Sequence, residues 1–100
     1  MSEQLSPTLA AFVAARSAAV ISTAIADLSH PPSSELRHAV HRHAGTLATF
    51  AVPGSERLAR LDADLRAGRD EASVRRDLAD VVAALAGQLG GHQPGTGSRP

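Results

Sequence analysis

The sequence has no cysteine, no tryptophan and no tyrosine, and only two phenylalanines. Without cysteine there can be no disulfides and no thiolate metal sites. With so few aromatics, the 43% hydrophobic content rests on small and aliphatic side chains, twenty of them alanine. A core made that way is thin in bulk, so its elements must approach closely along alanine seams, and modest stability is expected. An excess of either charge is also missing, because ten basic and ten acidic residues leave a formal net charge of zero. That excludes the basic field that drives nucleic-acid binding. No run approaches eighteen uninterrupted apolar residues, so no membrane span is expected. The first residues, Met1 to Pro7, lack the basic start and apolar run of a signal peptide. One domain in 100 residues, soluble and cytoplasmic, is the expectation.

What is present is helical periodicity broken by clear punctuation. Ser6-Pro7 reads as a helix start, a capping hydroxyl followed by proline at the first helical position. Leu9, Phe12, Val13, Val20 and Ala24 share one face, and Ile21, Ile25 and Leu28 drift onto the next. The pattern suits one long helix to about Ser29, or a short N-terminal lid helix that bends near Arg16. His30-Pro31-Pro32-Ser33-Ser34 is a break, with the serines offering a new N-cap. A second helix then runs to about Val52, where Pro53-Gly54 turns the chain.

Ser55 is the expected cap of a third helix carrying Leu58, Leu61 and Leu65, which Gly68 ends. Asp70 caps the last helix, with Glu71 well placed against its dipole. Val74, Leu78, Val81, Val82, Leu85 and Leu89 give that helix an amphipathic face. Gly90-Gly91 stops it, and residues 90–100 read as a disordered Gly/Pro/Ser tail. Residues 1–5 read as a flexible N-terminus. Short connections between the helices of 6–89 predict an all-α, antiparallel up-down four-helix bundle.

The chemistry concentrates in His41-Arg42-His43-Ala44-Gly45-Thr46-Leu47-Ala48-Thr49-Phe50. Wound at about 100° per residue, this stretch sends Leu36, Val40, His43, Leu47 and Phe50 toward a core. His41 falls off that stripe, beside Gly45 and Ala48. Neutral imidazole is a good nucleophile near neutral pH, and Gly45, one turn on, leaves its approach open. The pattern resembles the phosphoacceptor helix of histidine-containing phosphotransfer (HPt) domains: a histidine, then lysine or a small residue at the third place on, then glycine at the fourth. It is most similar to the subgroup written H-R-L-A-G-T-x-G-T-F-G. His41, Arg42, Ala44, Gly45, Thr46, Thr49 and Phe50 stand at matching positions, while His43, Ala48 and Ala51 depart from it.

The resemblance implies an HPt-like bundle working as a phosphohistidine carrier in a two-component phosphorelay. His41 would accept a phosphoryl group from a receiver-domain aspartate and pass it to another. The implied partners are response-regulator receiver domains or a hybrid sensor kinase, met by a monomer. The receiver would bring Mg²⁺, and this chain would bind no cofactor of its own. The docking face would comprise Arg37, His38, Ala44, Gly45 and Ala48 around the acceptor. With Ala44 where many HPt domains have lysine, Arg37, four residues before His41, is the candidate source of positive charge.

His43 is read as a core histidine with one hydrogen bond, and His38 as a neighbour of the acceptor. Two rival readings use the same residues. One is a non-catalytic helical module that binds a signalling partner. The other is a metal-binding bundle, for which His38 and His41 have usable spacing but a third ligand is not evident. An autonomous kinase site would need a phosphate-cradling glycine loop or an acidic metal pair. Asp62 and Asp64 read instead as solvated charge, like the Arg/Asp mixture of 56–80.

Overall fold

The computed structural model describes residues 7–90, and among these every regular element is helical. The helices are α1 (Pro7–Ser29), α2 (Ser33–Thr49), α3 (Ser55–Arg66) and α4 (Glu71–Gly90). Helix α1 packs on α2 and α4, and α3 packs on the same two, which closes a four-helix bundle. Ser6, the start at 1–5 expected to be flexible and the expected tail beyond Gly90 lie outside the described residues. Helix α1 is continuous, so the alternative with a separate lid segment is not taken.

The centre of the bundle holds Leu28, Leu36, Val40, Leu47, Leu58, Val74, Val81 and Leu85, all fully buried. Ala24, Ala39 and Ala44 are buried among them. Their single methyl groups let the helix backbones come close, the alanine-seam packing that the composition requires. Burying each large aliphatic side chain contributes about 1.5–3 kcal/mol.

Helix α1 departs from expectation at its start. Leu9, Phe12 and Val13 are exposed, and among the described side chains of the helix the first buried one is Ile21. At 23 residues α1 is longer than α2 at 17 and α4 at 20, so its first turns have less to pack on. Its Ala11–Ser29 segment is long and apolar enough to cross a membrane by length and composition alone, with mean hydropathy 1.5. A count of uninterrupted apolar residues misses this, because Arg16 and Asp27 break the run without lowering its mean much. Ile21, Ala24 and Leu28 of the same segment are nonetheless core residues of the bundle.

The helix ends explain the boundaries. Asp70 Oδ2 accepts the Ser73 amide at 2.9 Å, the N-cap bond expected for α4. Ser33 does not cap α2. Pro32 holds that position, and the Ser33 hydroxyl donates to Glu71 Oε2 at 2.7 Å instead. Gly54, not Ser55, occupies the cap position of α3, at φ 103°.

Helix α3 ends in a Schellman motif. The Arg69 amide donates to Asp64 O at 2.9 Å and the Gly68 amide to Leu65 O at 3.2 Å, with Gly68 left-handed at φ 88°. Helix α2 ends the same way, three residues earlier than expected. Val52 donates to Leu47 O at 2.9 Å and Ala51 to Ala48 O at 3.0 Å. Buried Val52 and Leu47 supply the apolar contact that usually accompanies the motif.

Here the left-handed position falls on an alanine, Ala51 at φ 54°. An L-residue with a Cβ is disfavoured there by about 1–2 kcal/mol. Ala51→Gly is therefore expected to stabilise the fold by about 1 kcal/mol, after the extra chain entropy of glycine is subtracted. Thermal or urea melts followed by circular dichroism check this, since the chain has no tryptophan or tyrosine to report by fluorescence.

Candidate functional site

His41 stands on the solvent face of α2 with its side chain 63% exposed. Gly45 and Ala48 follow on the same exposed face. A Cβ placed on Gly45 would meet nothing within 4 Å, so the surface above the imidazole is open. Across the α2–α3 seam lies Asp62, whose side chain is only 14% exposed. Its Oδ2 sits 2.9 Å from His41 Nδ1. Arg66, one turn along α3, places Nη2 2.9 Å from the same Nδ1 and donates to Asp62 Oδ2 at 3.1 Å.

These side chains border a cleft of about 490 Å³ lined by Arg37, His38, His41, Asp62, Arg66 and Glu71, among others. The Glu71 end of the cleft is braced. The Ser33 hydroxyl and then Arg75, at 2.8 Å, donate to its carboxylate and hold it below the usual glutamate range. Arg75 also donates to Pro31 O at 2.8 Å, tying α4 to the turn before α2. The mouth of the cleft is thus set by hydrogen bonds among the α1–α2 turn, α2 and α4.

Arg37 and His38 share this cleft with His41. Ala48 is exposed, but it borders a separate depression with Ala51, Pro53 and Arg57. Ala44 must be corrected. It is 7% exposed and belongs to the core, so it presents no surface to a partner. It lies only about 40° from Val40 around the helix, on the edge that the α2–α3 seam covers. The reading of Asp62 as solvated charge is corrected too, since it is mostly buried against His41 and Arg66. The Asp62–Arg66 spacing of four, flanking the Leu58–Leu61–Leu65 stripe, was the available signal.

His43 faces inward and is 5% exposed. Its Nε2–H donates to Asp27 Oδ2 at 2.8 Å, while its Nδ1 is buried without a partner. Asp27 is held below the usual aspartate range, first by that hydrogen bond and then by the charges of His43 and Arg42. The orphaned Nδ1 costs about 1–3 kcal/mol, so His43→Leu is expected to match or exceed wild-type stability near neutral pH.

The acid limb carries the sign. A lowered carboxylate contributes stability above its unfolded pKa of about 3.9, lost as pH falls through the folded value. Wild type should therefore lose this Asp27 contribution below about pH 4, and His43→Leu keeps only the smaller part that Arg42 supplies. Melts at about pH 6 and pH 3 should show the advantage of the variant growing in acid. An advantage that shrinks in acid would contradict the assignment.

Among the described residues, no group of three His, Asp or Glu side chains converges as a metal ion would require. Neither the protein-family models, the curated proteins nor the solved structures give a match to this chain.

The chemistry at His41 follows from its partners. A carboxylate only accepts hydrogen bonds, so Asp62 favours the tautomer with the proton on Nδ1. The lone pair then lies on Nε2, which has no hydrogen-bond partner among the described residues. In that tautomer the exposed imidazole is nucleophilic at Nε2, whereas a bond accepted from Arg66 Nη2, equally close at 2.9 Å, would place the proton on Nε2 instead.

Proposed function

We propose that this chain is a phosphohistidine carrier of the HPt type, with the up-down antiparallel arrangement of that family. The observation that carries the reading is an exposed His41 beside open Gly45, with Nδ1 held by Asp62. In the transfer step Nε2 attacks the phosphorus of a receiver's aspartyl phosphate. The N–P bond forms as the P–O bond breaks, and the electron pair leaves with the aspartate. The receiver supplies Mg²⁺ and most of the electrostatic catalysis, whereas this protein supplies the nucleophile and a docking surface of His41, Gly45, Arg37 and His38. It works in the cytoplasm as a monomer.

One observation favours a second reading, a helical interaction module that binds a signalling partner without transferring phosphate. Ala44 is buried where many HPt domains carry lysine, so no cation stands at that place. The two readings separate on incubation with a phosphorylated receiver. A carrier acquires acid-labile, base-stable phosphate, whereas a pure binding module forms a complex and stays unlabelled.

A further inference from the structure

His41 Nδ1, Asp62 Oδ2 and Arg66 Nη2 form a nearly equilateral triangle with sides of 2.9, 3.1 and 2.9 Å. A carboxylate only accepts hydrogen bonds and a guanidinium only donates them. If Nδ1 donates to Asp62, the lone pair is on Nε2 and the ring can attack phosphorus from its open side. If Nδ1 accepts from Arg66, the proton is on Nε2 and that nitrogen is not a nucleophile. The two neighbours therefore demand opposite tautomers. Asp62 is mostly buried and fixed, whereas Arg66 is about half exposed on a long stem.

We propose that Arg66 gates His41 by masking Nδ1 in the free protein, and that it swings onto the phosphoryl oxygens when a phosphoryl group arrives. This rests on the phosphoacceptor reading of His41. As Arg66 leaves Nδ1, Nε2 gives its proton to water and Nδ1 takes one from water and donates it to Asp62; Nε2 then spends its lone pair on the N–P bond, and the donor carboxylate leaves with the P–O pair. The ring keeps Nδ1–H and becomes cationic. A guanidinium 2.9 Å away is then repelled, while Asp62 is drawn closer. The phosphoryl oxygens offer Arg66 charge-assisted acceptors in exchange. Arg37 lines the same cleft, but Arg66 is the guanidinium that stands 2.9 Å from Nδ1. Glu71, the other carboxylate of the cleft, is already engaged by Ser33 and Arg75 and does not compete for Arg66.

The test reads the tautomer directly. Nitrogen-15 spectra of the histidine side chains are recorded at a fixed, mildly alkaline pH for wild type, Arg66→Gln and Asp62→Asn. Arg66→Gln should move His41 toward the Nδ1–H form, and Asp62→Asn toward the Nε2–H form. Millimolar inorganic phosphate should move wild type toward Nδ1–H but leave Arg66→Gln unchanged. Circular dichroism confirms that each variant is folded.

Phosphoramidate then provides a partner-free donor: Nε2 attacks phosphorus, the P–N bond breaks and ammonia leaves. Asp62→Asn should label about tenfold more slowly, the cost of presenting the wrong tautomer. Equal tautomer ratios in wild type and Arg66→Gln, or equal responses to phosphate, overturn the gate. If labelling of His41 proceeds while its tautomer ignores Arg66, the gate falls and the carrier stands. If no variant is labelled while the tautomer shifts as expected, the carrier falls and takes the gate with it, leaving Arg66 only as a control on the His41 tautomer.

Discussion

His41→Gln is expected to abolish phosphoryl uptake while leaving the bundle folded. Glutamine is a good helix former, and its amide can still donate across the seam to Asp62, so helix geometry and the Asp62–Arg66 pair survive. Its stability should stay within about 0.5 kcal/mol of wild type, as for other exposed helical substitutions. What it lacks is a nitrogen lone pair able to form an N–P bond, so the loss of labelling should be complete. The two other histidines of α2 serve as internal controls. His38 borders the same cleft and His43 is enclosed in the core, so neither should take over. Labelling of His41→Gln by a phosphorylated receiver would mean the acceptor lies elsewhere.

Gly45→Leu should separate stability from activity. The site of the new Cβ is open, with nothing within 4 Å, and the backbone there is ordinary helix. Replacing a helical glycine should raise stability by about 0.5–1 kcal/mol. The branched side chain would nevertheless stand one turn beyond His41, on the surface a receiver must reach. Displacing reacting atoms by about 1 Å can cost 100-fold in rate, so transfer should slow by at least tenfold at unchanged folding. Melts and single-turnover transfer, measured on the same samples, check both halves. A variant that transfers at the wild-type rate would place the receiver on another face.

Much of the bundle was legible because its boundaries are chemical. Proline at 7, 31 and 32 and glycine at 54 and 68 fall where helices start or stop, and Asp70 caps α4 as its type suggests. The end of α2 was not legible, because the left-handed position that usually announces itself as glycine is Ala51. The exposed first turns of α1 were missed for another reason. Periodicity marks an apolar face but does not say how far a neighbouring helix extends to cover it.

At the site, the helix wheel separated exposed His41 from buried His43, since the angle between them is large. It failed on Ala44, which lies at the edge of the buried arc, where the position of α3 decides. Asp62 was lost because it contributes from another helix. A 21-residue separation to His41 leaves no local pattern, and only the fold brings the two together.

Locating the phosphate tests the central claim most directly. The nitrogen-15-labelled protein, phosphorylated by a receiver and kept at alkaline pH, can be read by phosphorus–nitrogen coupling with assignment of the modified ring. The account predicts one phosphoryl group, bonded to Nε2 of His41, with Nδ1 of that ring facing Asp62. Phosphate on His38, on His43 or on a carboxylate, or none after a receiver complex has formed, would contradict it.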